Sequence, residues 1–271
     1  MAAFSRGIFD AKRQQRIVRW QRILPSRGAD GTPSDAARRY PVLVVAALYA
    51  AANEDLDFLL DYARAGGHLV LGPRTGYGDE EGRARTERAP ARLGEAAGVW
   101  YDETASLRSP VPLDGAGLAG AGLAGTGLAG AGLAGAATGL AEGLVAVDAE
   151  VLATYRHPHL GRWAAVTTKP VGSGRITVVG TIPDQDLAAA LSRWLAPQPT
   201  GGWTTDDSVT ASTGTDRAGR RLHVLHNWSW QPASAKAEVP LTDLLTDGTH
   251  AAGERVNLGP WDVRIFRGSV S

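Results

Sequence analysis

The segment that most constrains the fold lies at residues 42–85, where the pattern predicts a β-α-β unit followed by a polar loop. Residues 42–47 form a continuous apolar run, which is typical of a parallel strand buried on both faces. Asn53 is predicted to cap the helix that follows, and two glycines end that helix before the second strand at residues 69–71. The polar loop at residues 74–81 therefore leaves the carboxyl end of a parallel strand, the edge where open α/β sheets usually bind ligands.

A low-complexity segment interrupts the chain further on. Residues 115–135 repeat Gly-Ala-Gly-Leu-Ala, with Thr126 as the one exception, so the leucines recur every five residues. That period fits neither a helix nor a strand, and the many glycines add a large ordering cost. We therefore expect residues 112–143 to be a flexible insertion. Its Gly-x-Gly-x-x-Gly matches are a by-product of the repeat, because Pro110-Val111-Pro112 precedes them in place of a buried strand.

Regular patterns resume after the insertion. Strands are predicted at 151–155, 163–167 and 176–179, the last two paired antiparallel, and a helix is predicted at 184–195. Prolines and glycines at residues 196–202 mark the best domain boundary. Beyond it, short strand-like runs separated by turn residues predict a small antiparallel β domain, with runs at 208–212, 222–228, 235–239 and 263–266.

The first 39 residues differ from the rest, since they hold nine cations against three carboxylates. A basic arm for nucleic acid is one interpretation, and a solvated helix face is the one we prefer. Ile17-Val18 and Ile23-Leu24 are candidates for an additional strand. The predicted organisation is thus a basic segment at residues 1–39, an α/β domain at residues 40–196 and a β domain at residues 197–271.

Composition excludes several classes of function. The 28 basic and 28 acidic residues balance, so no global field attracts nucleic acid or an anionic membrane. The absence of cysteine excludes disulfides, thiolate metal sites and a cysteine nucleophile. No apolar run approaches the ~20 residues of a membrane span, and the first residues lack the pattern of a signal peptide. We expect a cytoplasmic protein with neither nucleic acid nor membrane as a partner.

Several stretches carry a resemblance to a known family. They include Tyr-Ala-Arg-Ala-Gly-Gly-His-Leu-Val-Leu at 62–71, Arg-Thr-Gly-Tyr-Gly-Asp-Glu at 74–80, His-Asn-Trp-Ser at 226–229 and Leu-Gly-Pro-Trp-Asp-Val at 258–263. From residue 40 to residue 268, apart from the insertion, the chain resembles the trimerisation and C-terminal domains of bacterial β-galactosidases of glycoside hydrolase family 42. The resemblance implies a flavodoxin-like or amidotransferase-like α/β domain followed by a small antiparallel β domain. It also implies a homotrimer.

The catalytic barrel of that family has no counterpart that we recognise here, so we assign no catalytic residue. Retaining hydrolysis of a glycoside requires two carboxylates ~5–5.5 Å apart, and no glutamate here matches the family's catalytic motifs. We interpret the glutamates as surface groups or helix caps; they are Glu54, Glu80, Glu81, Glu103, Glu142, Glu150, Glu238 and Glu254. No cofactor or metal is expected, because His157 and His159 flank a proline and His223 and His226 face opposite sides of a strand.

Arg74, Tyr77 and Asp79 in the polar loop are the candidate ligand or interface residues. The alternative is a self-contained turn in which Asp79 pairs with Arg74. We prefer an interface, because the family's middle domain assembles trimers.

Tryptophan is dense in the predicted β domain, at Trp203, Trp228, Trp230 and Trp261. One interpretation is a platform on which sugar rings stack. The interpretation we prefer is that these side chains fill a thin core.

Two hypotheses for function follow. In the first, the chain is a non-catalytic portion of a β-galactosidase with a role in oligomerisation, inactive alone and complemented by a separately encoded barrel. In the second, it is a stand-alone α/β protein that binds a small ligand or carbohydrate at the polar loop.

Overall fold

The computed structural model describes residues 1–115 and 133–268, and the chain divides into two compact units. Unit 1 comprises residues 1–7 and 17–195, and unit 2 comprises residues 8–16 and 196–271. The helices in the described part are α1 Ala2–Asp10, α2 Pro33–Arg39, α3 Asn53–Arg64, α4 Gly94–Ala97 and α5 Gln185–Leu195. None of them is long and apolar enough to cross a membrane.

Unit 1 is built on one mixed sheet. Its strands are β1 Val42–Val45, β2 His68–Leu71, β3 Val99–Ser106, β4 Val111–Gly115, β5 Ala136–Ala146, β6 Glu150–Tyr155, β7 Ala164–Val171, β8 Gly174–Val179 and β9 Thr181–Pro183. They lie in the order β1-β2-β8-β7-β6-β4-β5-β3, with β9 paired to β5. The pairings β1–β2 and β2–β8 are parallel and the others are antiparallel. A small parallel part is thus extended by an antiparallel one.

Helices cover both faces of this sheet at β2, where successive side chains point to opposite faces. Leu69 and Leu71 pack in one apolar cluster with the leucines of α3, and Val70 packs in another with Leu187 and Leu191 of α5. Burial on both faces is what the apolar composition of β2 and β8 requires.

Two details of the predicted β-α-β unit are wrong. Strand β1 is the edge strand of the sheet and only half-buried along its length, so it is not a fully buried strand. Asn53 is the first residue of α3 and Ala52 is the N-cap, without a side-chain hydrogen bond. The Asn53 side chain instead accepts a hydrogen bond of 2.6 Å from Arg85.

The predicted flexible insertion is too long at both ends. Residues 112–115 lie in β4 and residues 136–143 lie in β5, where Val111 pairs with Ala137. Leu133 is fully buried, so at least this leucine of the repeat packs into the core of unit 1. The rest of the repeat, residues 116–132, lies outside the described residues.

The segment before residue 40 contains no strand in the structure. Residues 17–18 are irregular, and Ile23 and Leu24 lie between two short 3-10 helices, where both are buried. The candidate additional strand is therefore wrong. Helix α2 has a Thr32 cap, whose hydroxyl accepts a hydrogen bond from the Asp35 amide.

Unit 2 contains two antiparallel sheets. The strands are β10 Thr204–Thr205, β11 Val209–Thr215, β12 Arg221–Asn227, β13 Ala233–Lys236, β14 Leu241–Asp243, β15 Thr249–His250, β16 Arg255–Leu258 and β17 Val263–Gly268. One sheet has the order β10-β13-β16 and the other β11-β12-β17-β14-β15. The core centres on Trp203 and Phe266, whose ring centroids lie 5.6 Å apart.

Candidate functional site

The polar loop is held against the connection between β1 and α3 by backbone hydrogen bonds. The Gly76 amide donates to the Leu48 carbonyl and the Gly78 amide to the Tyr49 carbonyl, both at 2.8 Å. At Gly72 a Cβ atom would lie 2.0 Å from the Ala46 carbonyl oxygen, so only glycine allows this approach. The loop is therefore a fixed surface at the carboxyl ends of the parallel strands.

Arg74 lies on this surface beside a stacked pair of tyrosine rings. Its guanidinium carbon is 5.2 Å from the ring centroid of Tyr49 and 5.5 Å from that of Tyr77, and the two rings stack 5.8 Å apart. The Arg74 backbone has a φ of 61°, in the left-handed region that non-glycine residues rarely adopt. The structure thus brings Arg74 and Tyr77 together, with Tyr49 as a third member.

Asp79 is directed elsewhere and forms a turn with its own neighbours. Its carboxylate accepts hydrogen bonds from the Glu81 and Arg83 amides, at 3.0 and 2.9 Å, and from the Arg83 side chain at 3.0 Å. Burial alone would raise the pKa of Asp79, but these hydrogen bonds outweigh it and the pKa lies below its usual value. Asp79 therefore forms a local turn, as in the alternative interpretation, but it pairs with Arg83 and not with Arg74.

Glu142 of β5 lies beneath the loop and is the residue that the sequence interpretation missed. It is 0% exposed, so its prediction as a surface group or cap is wrong. Its Oε1 accepts hydrogen bonds from the Arg74 amide at 2.9 Å and from the Tyr77 hydroxyl at 3.0 Å. Its Oε2 is buried without a partner in the described part of the chain. One signal was available, since Glu142 is the single charged residue in residues 136–147.

Burial governs the protonation of this cluster. Loss of water raises the pKa of Glu142 to about 7, against the lowering effect of hydrogen bonds from Tyr77 and Arg74 and of the Arg74 charge. Burial likewise raises the pKa of Tyr77 to about 12. Tyr101 has its ring centroid 5.9 Å from that of Tyr77, and its buried hydroxyl also has no partner in the described residues.

The arrangement leaves the hydrogen-bonding capacity of Glu142 Oε2 unused among the described residues, and the carboxyl group can exchange a proton near neutral pH. It differs from a retaining glycosidase site, which pairs two carboxylates at ~5–5.5 Å. Glu142 is held by a tyrosine hydroxyl and a backbone amide, and no second carboxylate hydrogen-bonds in this cluster among the described residues.

The histidines considered as ligands serve structural contacts. His223 is buried and accepts a hydrogen bond from Trp203 Nε1 at 3.0 Å, whereas His226 stacks on Trp228 with centroids 5.2 Å apart. His157 accepts hydrogen bonds from the backbone amides of His159 and Leu160 at 3.2 Å.

The preferred interpretation of the tryptophans in unit 2 is wrong for three of the four. Trp203 is 2% exposed and belongs to the core, as predicted. Trp228, Trp230 and Trp261 are 46%, 77% and 48% exposed, and Trp261 contacts the other two rings, so they form a surface cluster.

Comparisons with known proteins agree with this architecture. Residues 29–199 match the family model of the β-galactosidase trimerisation domain. Over 162 residues the chain is 32% identical to the β-galactosidase Bga of Halorubrum lacusprofundi, a match that covers 59% of this chain and 23% of that protein.

Solved structures show the same fold. The β-galactosidase from Bacillus circulans sp. alkalophilus superposes with a TM-score of 0.79 at 18% identity, over 98% of this chain and 37% of that one. The cold-adapted β-galactosidase from Rahnella sp. R3 gives a TM-score of 0.77 at 20% identity, over 99% of this chain and 36% of that one. This chain spans little more than a third of the length of either enzyme.

The family match extends through the β-α-β unit, the polar loop and the strand that carries Glu142, and so confirms the resemblance that the sequence carries. The chain belongs to the trimerisation-domain family of glycoside hydrolase family 42 β-galactosidases.

Proposed function

We propose that this chain is a non-catalytic, oligomerising portion of a β-galactosidase, and that it forms a homotrimer through unit 1. The observation that carries the proposal is the match of residues 29–199 to a trimerisation domain. We further propose that the parallel strands of unit 1 derive from a flavodoxin-like or amidotransferase-like fold. On this proposal, residues 40–196 and 197–271 are separate domains.

The polar loop supplies the contact surface in this proposal. Arg74 and Tyr49 are exposed, and each is fixed by the stacking described above. Arginine and tyrosine are enriched among the residues that dominate binding energy at interfaces. Tyrosine buries a large area at a low cost in side-chain entropy, and the Arg74 guanidinium already lies over two rings. Asp79 contributes indirectly, by closing the turn at the end of the loop.

Sedimentation equilibrium at low to high micromolar concentrations tests the assembly. We expect a trimer whose dissociation constant rises at least tenfold in the double variant Arg74→Ala, Tyr49→Ala. Arg64→Ala is the matched control, since Arg64 is an exposed arginine of unit 1 that forms an ion pair with Asp61 on α3. A strict monomer at high concentration, or equal weakening by the control, contradicts the proposal.

A second function is favoured by one observation, the unpartnered Glu142 Oε2 and Tyr101 hydroxyl under the loop. Buried polar atoms without partners are rare in native proteins, and a bound ligand is one way to satisfy them. In this alternative, unit 1 binds a small molecule with hydroxyl or amine donors, and the chain is a compact monomer. Calorimetric titration with galactose tests it, and the heat is expected to vanish in Glu142→Gln.

A further inference from the structure

The surface of unit 2 carries an aromatic cluster that assembly through unit 1 does not use. Trp261 contacts both Trp228 and Trp230 edge to face, with centroid separations of 6.3 Å for Trp228–Trp261 and 5.7 Å for Trp230–Trp261. All three are about half exposed or more, so the cluster gains little from burial. Large exposed apolar patches of this kind mark binding sites.

The backbone at Trp261 is held in an unfavourable conformation. Its φ is 52°, in the left-handed region, where a bulky residue is a conformational outlier. Glycine would occupy this position without strain, and the tryptophan ring does not enter the core. Backbone strain of this kind is concentrated at functional sites in proteins, where the surrounding structure holds it in place.

The scaffold under the cluster fixes its geometry. The buried Asn227 side chain donates hydrogen bonds of 2.8 Å to the carbonyl oxygens of Gln231 and Gly259, so it ties together the two loops that carry the tryptophans. Trp228 Nε1 donates to Thr210 Oγ1 at 2.7 Å. The rings are thus oriented before a ligand arrives, which lowers the entropic cost of binding.

A cavity of about 270 Å³ adjoins the cluster and shares Trp228 as a wall. Its lining also includes Gln15, Ser212 and His226, whose side chains make no hydrogen bond in the part of the chain that the structure describes. The two cations at the cavity are engaged, since Lys12 pairs with Asp207 and Arg13 donates to the carbonyl oxygens of Ala196 and Pro197.

We propose that unit 2 binds a neutral oligosaccharide, with sugar rings stacked on Trp230 and Trp261 and one ring in the cavity beside Trp228. A pyranose presents C–H bonds on its faces and hydroxyl groups at its edge. It therefore matches a fixed indole surface beside a cavity with amide, hydroxyl and imidazole groups. An acidic ligand fits less well, because the cavity's cations already have partners. The inference does not depend on trimer formation.

Titration of the full chain with galactotetraose and with cellohexaose, followed by tryptophan fluorescence and calorimetry, tests the proposal. We expect saturable binding of at least one oligosaccharide, weakened at least tenfold in Trp230→Ala. Trp20→Ala is the matched control, because Trp20 is an exposed tryptophan of unit 1. The control should bind as the unchanged chain does.

Trp261→Gly separates a binding role from a structural one. Glycine adopts a left-handed backbone without strain, so the melting temperature should stay the same or rise. Oligosaccharide binding should be lost, because the indole ring is removed. The proposal is overturned if neither oligosaccharide binds, if single-stranded nucleic acid binds more tightly, or if Trp261→Gly unfolds the domain.

Discussion

At the residue scale, Glu142 sets the expected pH dependence of unit 1. Its folded-state pKa is raised to about 7 from an unfolded value of 4.5, so the folded state binds the proton more tightly than the unfolded state does. The carboxyl group therefore costs no stability below about pH 4.5, and unfolding becomes easier as the pH rises toward 7. A shift of this size corresponds to roughly 3 kcal/mol once the group is charged in the folded state.

Glu142→Gln should remove that pH dependence, because an amide keeps the shape of the protonated carboxyl. We expect the variant to gain stability relative to the unchanged chain as the pH rises, by up to about 3 kcal/mol. His68 titrates in an overlapping range, since burial and the Arg175 charge lower its pKa to about 4. Because His68 is present in both proteins, its contribution cancels when the free energy of unfolding of one is subtracted from that of the other. Urea unfolding of both proteins across the pH range measures this difference in the free energy of unfolding. A difference that does not change with pH would contradict the assignment of the pH dependence to Glu142.

At the element scale, the β-α-β unit was predictable because its signals are local. The apolar runs, the helix periodicity and the Gly66-Gly67 stop all lie within thirty residues, and the structure has β1, α3 and β2 in the predicted order. The edge position of β1 was not predictable, since it depends on β8, which pairs with β2 from about 100 residues away.

The candidate site was predictable only in part for the same reason. Arg74 and Tyr77 lie in one loop, whereas the Glu142 carboxylate reaches them from β5, about 65 residues further along the chain. The exposed tryptophans were misinterpreted because composition does not tell which side of a thin β domain a ring occupies. For Trp261, the exposure of 48% in the folded structure shows that the ring lies outside the core.

The Gly-Ala-Leu repeat gives a prediction at the same scale. Replacement of residues 116–132 by a short Gly-Ser link should change the melting temperature of unit 1 by no more than a few degrees. The described flanks are already joined, by the pairing of Val111 with Ala137 and a hydrogen bond of 3.0 Å from the Leu113 amide to the Gly135 carbonyl. Leu133→Ala is the contrast, because this leucine is 1% exposed and its truncation should cost about 2–5 kcal/mol. Differential scanning calorimetry compares the two, and a large drop for the shortened chain would contradict the prediction.

At the scale of the whole molecule, the chain combines a mixed α/β unit that belongs to a trimerisation family with a β unit that exposes three tryptophans. On the two proposals made above, unit 1 assembles copies of this chain and unit 2 binds a saccharide. Neither role needs a catalytic pair of carboxylates, and the family's enzymes are about three times as long as this chain.

The corresponding prediction concerns chemistry. Purified alone, this chain should not release the chromophore from an aryl β-galactoside, because retaining hydrolysis needs a nucleophile and an acid/base on one rigid scaffold. If a separate chain supplies the barrel, mixing the two should restore turnover, and the double variant Arg74→Ala, Tyr49→Ala should lower it by weakening assembly.

Glu142→Gln distinguishes the alternatives, since Glu142 is the buried carboxyl with a pKa near neutrality. Robust turnover by this chain alone that disappears in Glu142→Gln would show that unit 1 is itself catalytic. Turnover that the mixture restores, unchanged by Glu142→Gln, would place the chemistry on the partner and leave assembly to this chain.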